Sequence, residues 1–160
     1  MTPYDSNFKM KPPLRSCGDR EAVVDGLAAG TISAIATDHA PHAGSEKMQE
    51  FERCPFGIIG LETALVLALE ELVAPGKISL NRMVELFTTG PESVMNLGRG
   101  TLAPGAPGDV TVFSTDLRWT YDVNQSPSRS RNSPFDGRSF RGAPMATVVN
   151  GQFAWRRDRA

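Results

Sequence analysis

The segment Thr37-Asp38-His39-Ala40-Pro41-His42 places one carboxylate and two imidazoles close together, directly after a short apolar run at residues 32–36. An aspartate in such a position can bind a divalent metal through one oxygen and take a proton from water with the other. If Asp38 points into a site, we expect His39 to turn away from it and His42 to reach its mouth. The alternative is that Asp38 caps a turn and the histidines are ordinary loop residues.

The elements around this segment indicate a parallel α/β arrangement. Residues 32–36 are uncharged and mostly apolar, which is typical of a strand buried on both faces. A helix is expected before them, over residues 20–29, with Asp19 as its N-cap. In an α/β barrel the loops that follow the strands converge on the active site, so this layout would place Asp38 there.

The remainder of the chain predicts three more helices and then a β-rich tail. An apolar stripe from Leu61 to Leu72 predicts an amphipathic helix. Ser79 is expected to cap a second helix, and a short third helix is expected to end near residue 98. Strands are expected at 109–113 and on both sides of Asn150-Gly151, a strong hairpin signal. We therefore expect an α/β region over residues 1–98 and a separate β-rich region over residues 99–160.

Two further segments are candidates for ligand binding. Lys9, Lys11 and Arg15 lie on a Pro-rich loop that suits an anionic ligand, although a solvated basic loop is the alternative. Gly57 allows the backbone to approach a ligand closely. The alternative for that segment is an ordinary helix entry, with Phe56 as a hydrophobic staple.

Composition excludes several classes of protein. The 160 residues include 17 basic and 18 acidic side chains, a net charge of −1 that argues against nucleic-acid binding through bulk charge. Two cysteines are too few for a disulfide scaffold. The N-terminus resembles no signal peptide, and glutamates interrupt the longest apolar stretch, so no membrane span is expected. These features predict a cytoplasmic globular protein.

The histidine content limits any metal site. A hydrolytic metal site usually takes three or more protein ligands, and the sequence has only two histidines and two isolated cysteines. We therefore expect the chain to contribute to a metal site without being able to complete one, which suggests an incomplete protein.

Several segments resemble the dihydroorotases of the longer bacterial type, which are cyclic amidohydrolases. These segments occur in the same order as in that family and extend over nearly the whole chain. The likeness is to the C-terminal portion of that family. The matching segments are Asn7-Phe8-Lys9-Met10-Lys11-Pro12-Pro13-Leu14-Arg15, Ala34-Ile35-Ala36-Thr37-Asp38-His39-Ala40-Pro41-His42, Pro55-Phe56-Gly57-Ile58-Ile59-Gly60-Leu61-Glu62-Thr63, Gly100-Thr101-Leu102-Ala103-Pro104-Gly105-Ala106-Pro107-Gly108-Asp109 and Ser130-Arg131-Asn132-Ser133-Pro134-Phe135.

The resemblance implies that residues 1–98 are the last βα units of the (β/α)8 barrel of a metal-dependent hydrolase. It implies that residues 99–160 are the C-terminal part of the family's small β domain. It implies a Zn²⁺-dependent enzyme that interconverts dihydroorotate and N-carbamoyl-L-aspartate in pyrimidine (UMP) biosynthesis. Asp38 resembles the family's zinc ligand and general acid/base, and His42 a contact to the substrate carboxylate. Phe56 and Gly57 resemble backbone contacts to the substrate ring. Lys11 stands where the family often has a substrate-binding asparagine.

The family's His-x-His strand and its later metal-binding histidines have no counterpart here. The remaining zinc ligands are thus expected in a missing N-terminal part, and the isolated chain is expected to be inactive. An exposed barrel edge would favour a homo-oligomer or poor solubility. The alternative is a non-catalytic dihydroorotase-like subunit that partners aspartate transcarbamoylase. A hydantoinase or allantoinase fits the Asp38 and Lys11 segments less well.

Overall fold

The computed structural model describes residues 4–157, which divide into two compact units. The first, here called the site unit, comprises residues 4–21, 37–64 and 120–139. The second, the core unit, comprises residues 22–36, 65–119 and 140–157. The domain boundary expected at residue 98 stays a prediction.

Five α-helices, one π-helical turn, two 3₁₀ turns and three strands are formed by the described residues. The helices are α1 (Cys17–Ala29), α2 (Gly44–Lys47), α3 (Ala64–Ala68), α4 (Leu80–Phe87) and α5 (Thr89–Met95); the π-helical turn is Leu69–Val73; the 3₁₀ turns are Ser6–Phe8 and Val123–Gln125; the strands are β1 (Val110–Thr120), β2 (Ser139–Val149) and β3 (Gln152–Arg156).

The core unit is built around a cluster of buried apolar side chains, which are Leu27, Ala68, Leu69, Ile78, Met83 and Leu86. Half-buried apolar side chains, among them Ile35 and Phe113, pack against this cluster. Ser79 caps α4, as expected, because its hydroxyl accepts a hydrogen bond from the Arg82 backbone N–H at 3.1 Å. Removal of apolar surface from water is therefore the main source of stability in this unit.

Helix α1 begins earlier than the sequence predicts. Ser16, not Asp19, is its cap: the Ser16 hydroxyl accepts the Asp19 N–H at 3.2 Å, and the Asp19 carboxylate accepts the Ser16 N–H at 3.2 Å. This reciprocal arrangement satisfies two helix-end donors at once, as a capping box does.

The helix expected from Leu61 to Leu72 is shorter and partly π-helical. Leu61 precedes α3 and is 66% exposed, whereas Val66, which lies outside the predicted stripe, is completely buried. The π-helical turn Leu69–Val73 follows α3 directly. Leu61 is exposed because the helix begins only at Ala64, and the π-helical turn shifts the inward-facing side chains only from Leu69 onward.

The strand expected at residues 32–36 forms no β ladder with any part of the chain between residues 4 and 157, so this expectation is corrected. Helix α4 holds the segment instead. The Ile35 N–H donates to the Leu86 carbonyl at 2.9 Å, and the Arg82 guanidinium donates to the Ile32 carbonyl at 3.0 Å. A strand exists only when a neighbouring strand pairs with it, and no such neighbour runs beside this segment within the described residues.

The sheet has the order β1-β2-β3, with β2 and β3 antiparallel. Asn150 and Gly151 join β2 to β3 with φ values of 50° and 76°, the positive angles that a tight hairpin turn requires. The hairpin prediction is confirmed, and the pairing opposes Val149 to Gln152. Strand β1 extends seven residues past the predicted 109–113 segment, to Thr120.

No helix within residues 4–157 has both the length and the apolar character needed to cross a membrane.

Candidate functional site

The Asp38–His42 loop of the site unit runs alongside residues 57–60. The Ala40 N–H donates to the Ile58 carbonyl at 2.8 Å, and the Gly60 N–H donates to His39 Nδ1 at 3.3 Å. Gly60 also lies against the Asp38 backbone, since a Cβ there would come within 2.7 Å of the Asp38 carbonyl oxygen. Only glycine allows this approach. Contacts at the Asp38 backbone and at the two residues that follow it therefore fix the position of Asp38.

The Asp38 side chain itself is exposed. No hydrogen bond or ion pair joins its carboxylate to any other residue that the structure describes. His39, by contrast, is half-buried and uses Nδ1 as an acceptor, so its ring holds the loop to the backbone at Gly60. The carboxylate is thus available for external chemistry, whereas the adjacent imidazole has a structural partner.

His42 lies against Phe56. Its Nε2 is 2.9 Å from the Phe56 carbonyl oxygen, so Nε2 carries the hydrogen and donates it. Its Nδ1 is 3.8 Å from a carboxylate oxygen of Glu46, one helical turn further along the chain. The structure therefore brings two predicted site residues, His42 and Phe56, into direct contact.

Gly57 lies where two backbone segments meet. Its φ is +96°, and a Cβ would lie 2.6 Å from Ala40 Cβ, so both conformation and space require glycine. Its N–H donates to the Lys9 carbonyl at 2.8 Å, and its own carbonyl accepts from Lys47 Nζ at 3.1 Å. Both of its backbone polar groups have partners within the site unit.

Two buried lysines bind the loop that carries Phe56 and Gly57. Lys9 Nζ donates to the carbonyls of Glu52 at 2.9 Å and Cys54 at 2.7 Å. Lys47 Nζ donates to three carbonyls, those of Ser6 at 2.7 Å, Pro55 at 3.0 Å and Gly57 at 3.1 Å. Four of these five carbonyls, all but that of Ser6, belong to residues outside helices and strands, and the lysines provide hydrogen-bond donors for them.

Burial lowers the pKa of the Lys47 ammonium below its usual range, an effect that Cys54 and Asp5 partly offset. For Lys9, the expectation of a cation free to meet an anionic ligand is corrected. It is buried, and its hydrogen-bond donors point at backbone carbonyls.

Lys11 remains exposed, as a ligand-binding cation would be. Its Nζ lies 5.8 Å from the centre of the Phe56 ring, and Lys9 Nζ lies 4.6 Å from the same ring. The Phe56 ring is half exposed. Lys11 and Phe56 thus form one surface with positive charge beside an aromatic face.

Asn132 joins the Asp38–His42 loop to the segment around Gly57. It is 5% exposed. Its side-chain amide donates to the carbonyls of Ala40 at 2.9 Å and Gly57 at 3.3 Å, and its side-chain oxygen accepts the His42 N–H at 3.3 Å. The sequence marked Asn132 only as part of a family-like segment and predicted no role for it.

A cavity of about 340 Å³ lies on the His39 side of the site unit. Its lining residues are His39, Ile59, Leu61, Glu62, Tyr121, Ser126, Pro127 and Ser128. The Tyr121 hydroxyl donates to a Glu62 carboxylate oxygen at 3.2 Å. Burial, together with the negative charge of Glu62, raises the pKa of Tyr121 to about 12.

The described residues do not form a complete metal site. Among residues 4–157, no group of three or more His, Cys, Asp and Glu side chains could hold a metal ion. Asp38 can supply one oxygen ligand, but His42 already uses Nε2 on Phe56.

Comparison with known proteins identifies relatives over almost the whole chain. The model of the amidohydrolase family matches residues 9–154. A dihydroorotase from Solibacter usitatus is 80% identical over 158 residues, which are 99% of this chain and 37% of the relative. A dihydroorotase from Endomicrobium trichonymphae is 47% identical over 95% of this chain and 36% of the relative. The chain therefore spans little more than a third of the length of these curated relatives.

Among solved structures, the L-hydantoinase (dihydropyrimidinase) from Arthrobacter aurescens matches with a TM-score of 0.86 and 29% identity. The match covers 94% of this chain and 35% of the hydantoinase. It confirms the predicted fold class, an α/β piece of a (β/α)8 barrel protein followed by part of a small β domain.

Proposed function

The chain belongs to the amidohydrolase family, and from that premise we propose that it is the C-terminal part of a dihydroorotase. The enzyme would hydrolyse dihydroorotate reversibly to N-carbamoyl-L-aspartate in pyrimidine biosynthesis. The observation that carries this proposal is the Asp38–His42 loop, which presents an exposed carboxylate from a backbone that residues 58 and 60 hold in place. The 80% identity to a dihydroorotase across the chain supports the choice of substrate.

In this proposal Asp38 is the general acid and base. Ring opening adds water to a ring carbonyl carbon and breaks the bond from that carbon to the ring nitrogen. The exposed carboxylate of Asp38 would take a proton from the attacking water and return it to the leaving nitrogen. Closure of the ring would use the same two proton transfers in reverse.

The proposed substrate-binding residues lie in the same unit as Asp38. Lys11 offers an exposed ammonium for a substrate carboxylate, and it lies beside the half-exposed ring of Phe56. The Gly57 N–H, the Phe56 carbonyl and His42 Nε2 now have partners within the chain. If these three groups bind the substrate directly, each would have to break its present hydrogen bond within the chain and form one to the substrate.

We propose Zn²⁺ as the metal of the complete enzyme, with Asp38 as one of its ligands. Zinc would polarise the substrate carbonyl and favour attack by water. Because residues 4–157 contain no complete ligand set, the other ligands would belong to the part of the complete enzyme that corresponds to the unmatched remainder of the relative. We assign no further step to the metal.

The proposal is tested with a chimaera in which this chain replaces the matching 37% of the Solibacter usitatus relative. We expect the chimaera to hydrolyse dihydroorotate and to leave hydantoin largely unchanged. Asp38→Asn should lower kcat by about 10³-fold, since positioned proton transfer contributes roughly 10²–10⁴-fold. Asp25→Asn, a change at an exposed carboxylate of α1, is the matched control and should retain the original kcat.

Two results would contradict the proposal. A folded chimaera without activity would favour the non-catalytic, dihydroorotase-like subunit. A chimaera that prefers hydantoin would instead favour the activity for which the structural relative is named.

A further inference from the structure

Asn132 makes bonds that use both the donors and the acceptor of its side-chain amide. Its amide N–H groups reach two carbonyls, Ala40 and Gly57, while its side-chain oxygen accepts the His42 N–H. Its backbone carbonyl accepts a fourth bond, from the Ile59 N–H at 3.1 Å. An aspartate has no donors for the two carbonyls when ionised, and serine or threonine has only one.

The turn that presents Asn132 has internal support. The Ser133 N–H donates to the Arg131 carbonyl at 2.9 Å, and the Ser133 hydroxyl accepts the Phe135 N–H at 3.3 Å. Arg131 in turn donates to the carbonyls of Ser128 and Ser130. Asn132 and Ser133 are both buried. A side chain held in this way can act as a fixed reference for the segments it binds.

We propose that Asn132 is a positioning residue that holds the Asp38–His42 loop in register with the Phe56–Gly57 segment. This inference rests on the proposed function, because those two segments contain four of the five proposed site residues, including the proposed acid/base Asp38. Asn132 itself touches neither the Asp38 carboxylate nor the exposed Lys11. Its effect on the reaction would be indirect, through the backbone of Ala40, His42, Gly57 and Ile59.

The first experiment measures amide hydrogen exchange by mass spectrometry on the 160-residue chain, and it does not depend on activity. In Asn132→Ala and Asn132→Asp, peptides over 39–43 and 57–60 should exchange at least 10-fold faster than in the original chain. A peptide over α4 (Leu80–Phe87) should keep its rate. The control is Asn124→Ala, since Asn124 is exposed and, among residues 4–157, its side chain hydrogen-bonds only to Asp122.

The second experiment measures steady-state kinetics in the chimaera defined above. With Asn132→Ala we expect KM for dihydroorotate to rise about 10-fold and kcat to fall about 10-fold, since small displacements of reacting groups can cost about 10²-fold in kcat/KM. Asn124→Ala should leave both values unchanged. A residue that contributes only to stability would reduce the amount of active enzyme and leave KM as it was.

The outcomes separate this inference from the proposed function. Local acceleration of exchange together with a higher KM supports the positioning role. Uniform acceleration over all peptides, α4 included, or a lower kcat with unchanged KM, would overturn it. An inactive original chimaera would overturn the proposed function, and the hydrogen-exchange result alone would then decide whether Asn132 holds the two segments together.

Discussion

The site unit and the core unit are stabilised by different interactions. Among residues 4–157, every buried polar or charged side chain lies in the site unit; these are Lys9, Lys47, Thr63, Ser126, Asn132 and Ser133. The core unit contains the continuous apolar cluster and nearly all of the long helical and strand structure. One unit thus depends on side chains that bind backbone carbonyls, and the other on removal of apolar surface from water.

The buried polar side chains of the site unit are explained by its irregular backbone. Residues 37–43 and 48–63 contain no helix or strand, so their backbone groups need other partners. Lysine and asparagine side chains are long enough to supply them, and each binds two or three groups at once. An irregular backbone held in this manner can expose a carboxylate such as Asp38 at a fixed position. In a regular helix or strand, the backbone geometry would restrict the direction in which that side chain points.

The largest effect is expected from an apolar truncation in the core unit. Leu86 is completely buried within the apolar cluster. Leu86→Ala should lower the free energy of unfolding by about 3 kcal/mol, through lost burial and the cavity left behind. Urea unfolding followed by far-UV circular dichroism measures this change. Val94→Ala on α5, where the side chain is 64% exposed, is the control. Equal effects from the two substitutions would contradict the apolar account of this unit.

A smaller but locally distinct effect is expected in the site unit. Lys47→Met keeps much of the apolar stem of Lys47 but removes all three hydrogen bonds from its ammonium group. The Pro55 carbonyl would lose its partner. The expected loss is about 2 kcal/mol, because relief of the buried charge offsets part of the cost of the lost hydrogen bonds and of the unpaired Pro55 carbonyl.

Urea unfolding again gives the magnitude, and hydrogen exchange gives the location. Exchange should accelerate in peptides over residues 50–60 and not in α4. Lys77→Met, at an exposed lysine, is the matched control. If Lys47→Met raised stability, burial of the ammonium would be costing more than its three carbonyl bonds contribute.

Some features that depend only on neighbouring residues were predictable from the sequence, although the Asp19 cap of α1 was not among them. The Asn150-Gly151 turn and the Ser79 cap each need only a few consecutive residues, and both are confirmed. The fold class and family followed from the resemblance of the Asp38 and Phe56 segments, and the comparisons confirm both. The roles of Asp38, His42, Phe56, Gly57 and Lys11 stay predictions.

Features that depend on distant parts of the chain were not predictable in this way. Lys9 binds carbonyls more than forty residues away, and Asn132 binds Ala40 across 92 residues. In the sequence a lysine in a basic loop and a lysine buried against carbonyls are indistinguishable. Strand pairing at residues 32–36 likewise depends on which segments are present beside it, and composition carries no information about that.

The smallest effect concerns Tyr121 at the cavity of the site unit, where pH provides the test. The pKa of Tyr121 is about 12 in the folded chain, against an ordinary value of 10.0, because burial and the Glu62 carboxylate both disfavour the phenolate. The stability that the neutral hydroxyl contributes is therefore complete below pH 10 and is lost as the pH rises toward 12. At pH 7, Tyr121→Phe should cost about 1 kcal/mol, the usual value for one hydrogen bond.

The chain has only two tyrosines, so Tyr4→Phe leaves Tyr121 as the single phenol. Absorbance at the phenolate band should then titrate near pH 12 in the folded chain and near 10 in concentrated urea. In the same pH range the stability difference between the original chain and Tyr121→Phe should shrink. A folded-state midpoint near 10 would show that Tyr121 is solvated. The contrast between the site unit, whose buried polar side chains bind backbone groups, and the apolar core unit would then depend on Lys9, Lys47 and Asn132 without Tyr121.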